Sequence, residues 1–345
     1  MGFVTVERDE HIGGFTIILG KNRYHFRGGF TPFNNICSVS ISMNKFCTNK
    51  VLESEGIPVP KSSGVTLQEF NENTWNIDEL TYPLVAKPSR GSACGHNVIC
   101  NLKNREELVD HIKRNIHMQH YISIEEYQGG LRSFRVLVFY DQVIGVVERI
   151  PAHVVGDGVQ TIRALIKEQN IIRKKMKATV PTGPIRINQE TQTIFEEMGL
   201  SIEDIPEKGK VVPIRYICNS TYGGTFVSYK PDIICEENAK LAIKAAQVLN
   251  LNLVGFDVLC EDIRTPIETS RGFIIEANGD PDLTIHEQDY FGTKVPVSKI
   301  ILKKLISKHP LLYFTGRFPI FSIICKTALV VALLATFVWA MATYA

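Results

Sequence analysis

The chain has 345 residues, 44% of them hydrophobic, which is enough apolar material for one large or two ordinary domains and excludes a disordered chain. Its 38 Lys and Arg against 36 Asp and Glu leave a formal charge of +2, so nothing in the charge balance points to a nucleic-acid partner. Eight cysteines show neither a CxxC pair nor zinc spacing, which predicts reduced thiols in a cytosolic setting.

The N-terminus has no basic segment followed by an apolar one, and Met1-Gly2 lacks Ser or Thr at position 6. Neither a signal peptide nor myristoylation is expected. TIILGKNRYHFRG predicts a β-hairpin around Gly-Lys-Asn. Residues 44–56 predict a helix stopped by Gly56 and the Ile-Pro-Val-Pro after it. PLVAKP predicts a short buried strand carrying Lys87, and RGSACGHNVIC a glycine-containing turn into the next strand. NREELVDHIKRNI predicts an amphipathic helix with an Asn cap, and YISIEEY and FRVLVFY predict strands. His117 and His120 form an HxxH without a third ligand and read as a polar helix end. Further helices are predicted at 160–169, 188–198, 236–249 and 293–308, which gives an α+β class in more than one lobe, without internal repeats.

Two late strands carry the chemistry. LVGFDVLCED surrounds a single acid, Asp257, with apolar residues, and GFIIEANGDP places Glu276 and Asn278 on either side of Ala277, so both leave one face of a strand. Side by side, the two strands collect three hard oxygen donors of the kind Mg²⁺ takes together with phosphate oxygens. Neither GxxxxGK[ST] nor GxGxxG is present to hold a polyphosphate. What remains is Lys87 as a point charge, with main-chain N–H groups between Gly91 and Gly95 facing phosphate oxygens. An ordinary turn beside a surface lysine is the other reading of that segment.

From Thr327 the chain runs nineteen residues without a charge, TALVVALLATFVWAMATYA. As a helix these span roughly 28 Å, against a hydrocarbon core of about 30 Å. Lys299, Lys303, Lys304, Lys308 and Arg317 precede the run, and Trp339 and Tyr344 suit the far interface. A single-pass anchor with the preceding chain in the cytoplasm is expected, the alternative being a buried or interface-lying helix.

In order, LGKNRYHFRGGFT, NKFCTNKVLESEGIPVP, YPLVAKPSRGSACGHNV, ISIEEYQGG, ERIPAHVVGDGVQTIRALI, ICNSTYGGT and GFDVLCEDIRTPIETSRGFIIEANGDPDLTIH resemble the ATP-grasp superfamily over residues 12–305. The likeness is to the ATP-grasp module of cyanophycin synthetases and glutathione-synthetase-like ligases. The resemblance implies an ATP-grasp fold, two α+β lobes gripping ATP, followed here by the transmembrane helix. It divides the chain into an N-terminal hairpin segment (1–43), the grasp domain (44–310) and the anchor (318–345).

The same resemblance implies a carboxylate-amine ligase in which ATP phosphorylates a carboxylate and an amine displaces the phosphate. Asp257, Glu276 and Asn278 match the metal ligands, for Mg²⁺ or Mn²⁺ and two ions in all. Lys50 and Lys87 match phosphate-contacting lysines, with Ser92 and Gly95 in the phosphate loop. Glu125 matches the acceptor of the adenine amino group, and Glu126, Tyr127 and Gln128 complete the adenine edge. Arg215, with Lys87, matches the catalytic cations. The implied partners are ATP, amino-acid or short-peptide substrates and the lipid bilayer, with no nucleic acid and with room for a homodimer. Three departures stand out: Arg132 and Ser133 where relatives place an acid near the ribose, RGSACGHN in the phosphate loop, and NGDPD, whose Asp282 adds charge on the acceptor side. They keep open an alternative, a nucleotide-binding module without turnover that acts as a membrane-recruited scaffold.

Overall fold

The computed structural model describes the chain except residues 1–4, 10, 12, 20, 91–96, 120, 177–181, 289–291, 311, 314–317 and 345. It divides into two compact units, one of residues 1–32 with 298–345 and one of residues 33–297.

In the first unit, β1 (Thr5–Asp9), β2 (Gly14–Leu19) and β3 (Asn22–Arg27) form an antiparallel meander. Leu19 pairs with Asn22, so β2 and β3 are the expected hairpin with a two-residue turn. Phe15 stacks on Phe26 at 4.8 Å, the cross-strand aromatic pair that holds the register.

The second unit opens with two helices, α1 (Ile36–Ser42) and α2 (Lys45–Ser54), each capped by an asparagine side chain, Asn35 and Asn44. Gly56 follows α2 at φ +68°, a left-handed position where a Cβ is strained. Next come β4 (Ser62–Thr66), α3 (Leu67–Glu72), β5 (Leu84–Pro88), β6 (Ile99–Leu102), α4 (Arg105–Gln119) and β7 (Tyr121–Glu126). The strands make an antiparallel sheet in the order β4-β7-β5-β6. Leu108, Ile112 and Ile116 recur every fourth residue along α4 and bury against Val65, Leu84, Ala86, Ile122 and Ile124.

After β8 (Arg132–Phe139) and β9 (Gln142–Ile150) the chain makes a smaller layer. It consists of β10 (His153–Val155), α5 (Ile162–Lys175), α6 (Gln189–Met198) and β11 (Val211–Pro213), with a core around Val154, Ile166, Phe195 and Val212. It returns through β12 (Thr225–Tyr229), α7 (Glu236–Val248), β13 (Leu253–Cys260), β14 (Gly272–Asn278) and the single turn α8 (Thr284–Glu287). A five-stranded antiparallel sheet results, in the order β12-β9-β8-β13-β14.

One face of that sheet is oil. Phe134, Val136, Val146, Phe256, Val258, Ile274 and Ala277 bury there with Ala242, Ala245 and Ala246 of α7. By alternation, the residues between them point the other way. Strand β14 needs a correction to keep this phase: Asp257 pairs with Glu276 but Val258 pairs with Ile274, so Ile275 is an extra residue in a β-bulge. The bulge lets Ile274 stay in the core while Glu276, two positions later, leaves from the opposite face.

Helix α9 (Val297–Lys308) buries Val297, Ile301 and Leu305 along one stripe. Just beyond it His309 Nε2 lies 2.5 Å from the Tyr24 hydroxyl of β3. Helix α10 (Pro319–Tyr344) contains Ile323–Met341, mean hydropathy 2.2 and none of it buried. Among the described residues it is the one helix long and apolar enough to cross a membrane, by length and composition.

Candidate active site

The face of the five-stranded sheet opposite α7 gathers the polar residues. Asp257 and Glu276 are register partners, as are Gly255 and Asn278, and residues directly opposite in an antiparallel pair share a face. The three expected oxygen donors therefore stand together. Asp257 is nearly buried and takes two guanidinium groups: Arg135, its partner across β8, and Arg149 of β9 at 2.7 Å. Burial alone would raise its carboxyl, but the two arginines hold it below the usual carboxylate range. Gly255 makes room for this, since a Cβ there would meet Arg135 Cδ at 2.9 Å.

Glu276 keeps 28% of its side chain exposed and pairs with Lys45, the first residue of α2, at 2.9 Å. Asn278 donates from its amide nitrogen to Gly255 O at 3.2 Å, so its oxygen is the atom suited to a cation. Burial pushes the nearby Asp280 carboxyl up. Three hard oxygen donors on one face, two of them partly exposed, are a chemically fitting set for Mg²⁺.

Lys45, Arg135 and Arg149 were not among the residues singled out from sequence. The arginines had a signal: each interrupts an apolar strand, in SFRVLVF and in GVVERIP, where a charge needs a partner. Lys50, the lysine singled out instead, pairs with Glu53 at 2.8 Å and is about half exposed.

On the four-stranded sheet, Lys87 stands opposite Ser123, and its Nζ reaches Glu125 at 2.7 Å, both side chains nearly buried. Two expected adenine-edge residues are already engaged through their main chains. Glu126 N–H donates to Lys61 O and Tyr127 N–H to Pro83 O, while the Gln128 side-chain amide reaches Glu126 O at 3.4 Å. The Glu126 carboxylate accepts from Thr81 N–H at 3.0 Å. Ser92 and Gly95 lie outside the described residues, as does Cys94.

Arg215 follows β11 with its Nε 2.5 Å from Glu190 of α6 and its guanidinium 5.3 Å from the centre of the Tyr222 ring. Glu190 also accepts Tyr216 N–H at 2.7 Å, so one carboxylate sets both residues. Burial pushes the Cys100 thiol up to about 12, with Glu190, Lys87, Cys218 and Glu125 in electrostatic range. Burial raises Cys218 too, and Arg149 and Asp257 act on it.

Arg132, found where relatives place an acid, bonds Glu148 through two nitrogens, each at 2.9 Å, while Ser133 accepts from Arg149 at 3.4 Å. Asp282 uses one oxygen to accept from Thr284 N–H at 2.8 Å and from the Thr284 hydroxyl at 2.6 Å.

The single turn α8 carries His286, fully buried, with neither ring nitrogen bonded among the described residues. It fits because β9 has glycine opposite: a Cβ on Gly145 would lie 2.5 Å from His286 Nδ1. Burial, with Arg135 adding to it, pulls the imidazole down to about 3. A free histidine takes its proton near pH 6.5. The unfolded state therefore binds more protons below that pH, and the contribution of His286 is full above about 6.5 and lost as pH falls toward 3. Denaturant titrations should show stability dropping from pH 6.5 downward. His286→Leu should flatten that slope by up to about 1.4 kcal/mol per pH unit, and an unchanged slope would contradict a neutral buried ring.

Residues 42–157 match the RimK-like ATP-grasp domain. The chain carries an ATP-grasp domain. Over 307 residues it is 30% identical to cyanophycin synthetase from Synechocystis sp., covering 86% of this chain and 34% of that one. Over 288 residues it is 27% identical to the glutathione biosynthesis bifunctional protein of Pasteurella multocida, covering 82% of this chain and 38% of that one. The crystal structure of a bifunctional glutathione synthetase from Pasteurella multocida superposes with a TM-score of 0.57 at 24% identity, over 88% of this chain and 41% of that one. The chain thus spans about a third of the length of the curated relatives it matches.

Proposed function

We propose that this ATP-grasp chain is an ATP-dependent carboxylate-amine ligase that works through an acyl phosphate and is tethered to a membrane by α10. The observation that carries the reading is the cluster of Asp257, Glu276 and Asn278 on one sheet face, bordered by Lys45, Arg135 and Arg149. In this reading those three oxygen donors would hold Mg²⁺, which would supply positive charge beside the transferred phosphoryl group. Lys87 contacts phosphate oxygens. Glu125 and the chain through Gln128 hold the adenine, and Arg215 stabilises the tetrahedral centre, a task for a permanently charged planar donor. The cations around Asp257 and Glu276 favour a polyanion arriving there, since each carboxylate already has a counter-charge.

An amino acid or short peptide fits as the acceptor class. Purified protein in detergent, given ATP and Mg²⁺, should release phosphate only when a carboxylate and an amine are both supplied. A screen of amino-acid pairs for coupled release would identify the substrates. Thermal stabilisation by ATP without phosphate release on any pair would favour the scaffold reading instead.

A further inference from the structure

The charge of this chain is unevenly placed. Beyond residue 289 there are seven of its 38 basic residues and none of its 36 acidic ones, which leaves the first 289 residues five charges negative. Helix α9 shows how part of that excess is arranged. Val297, Ile301 and Leu305 turn inward, and Lys299 and Lys303, one turn apart on the opposite side of the helix, are exposed. Only ten residues separate Lys308 from Pro319, where α10 begins.

We propose that this side of α9, with Lys299 and Lys303, lies on a layer of anionic phospholipid headgroups, beside the bilayer that α10 enters. The inference rests on the membrane tether proposed above and adds a lipid preference to it. Charge complementarity alone would also suit an RNA or an acidic protein, but neither accounts for an apolar run of nineteen residues a short reach away. A bilayer offers hydrocarbon to α10 and, if anionic, counter-charge to α9 from the same partner. Ten extended residues reach at most roughly 35 Å, so α9 stays near the surface that α10 penetrates.

The test uses the full chain reconstituted in vesicles of neutral phosphatidylcholine, or of the same lipid with roughly a third phosphatidylserine. Acetylation of each lysine by an amine-reactive reagent is followed by mass spectrometry, with Lys240, 72% exposed on the catalytic unit, as the internal control. On the anionic vesicles at about 0.1 M salt, Lys299 and Lys303 should react about fivefold more slowly than on neutral ones, and the difference should vanish near 1 M salt. Lys240 should not change. Equal rates on both lipids, or slowing that survives high salt, would overturn the proposal. So would equal slowing by a single-stranded RNA added to neutral vesicles. Resistance to carbonate extraction reports the tether separately: protein stripped from both vesicle types refutes the tether and this inference with it. Protein retained with equal acetylation rates refutes the lipid preference alone.

Discussion

Glu276→Gln is expected to cut amine-dependent phosphate release by roughly 100-fold or more while leaving the fold intact, because the change removes one negative oxygen donor from the place where phosphoryl charge develops. The structural cost is small. Glu276 keeps 28% of its side chain exposed, and Gln at that position still offers an oxygen to Lys45, so the loss is held to on the order of 1–2 kcal/mol. Single-turnover phosphate release together with a melting curve separates the two effects. A variant that turns over near the parent rate refutes the metal-binding role of Glu276, and one that melts far below the parent shows that the residue is structural. Lys45→Met gives a useful contrast. It removes the resident counter-charge and leaves the carboxylate in place, so it should weaken activity without abolishing it.

The second large effect concerns stability. Lys87→Met leaves Glu125 without its cation in a nearly water-free position, and breaking a buried pair of this kind costs about 3–5 kcal/mol. Glu125→Gln strands the ammonium instead and should cost a comparable amount. The double variant Lys87→Met with Glu125→Leu should recover much of the loss, since two apolar side chains can fill the space without an unpaired charge. A lone Glu125 also escapes its penalty by taking a proton. The deficit of Lys87→Met should therefore shrink as pH falls, which urea titrations at neutral and acid pH would show. A cost below about 1 kcal/mol in the single variant would mean that water reaches the pair.

Much of this site is readable from residues alone, for a physical reason. A charge inside an apolar strand is expensive, so Asp257 and Glu276 announce a partner wherever they occur. What could not be read is which partner. Lys45 and Lys50 both belong to α2, five positions apart and so on different sides of the helix, and only packing against β14 decides that Lys45 meets Glu276. The long helices follow from periodicity and caps. The three-residue strands β10 and β11 do not, because so short a run carries no alternation to detect. Local spacing identified the shared face of Glu276 and Asn278 but gave no sign of the extra residue before them, since a bulge is visible only against the neighbouring strand.

That extra residue decides which losses of length β14 can survive. Deleting Ile275 would bring the strand back to simple alternation with Glu276 still opposite Asp257 and Asn278 still opposite Gly255, so both would keep their place among the arginines. Deleting Ala277 would instead set Asn278 opposite Phe256, in the apolar layer under α7. Of two codons this close together, one could be lost with the donors still side by side and the other could not.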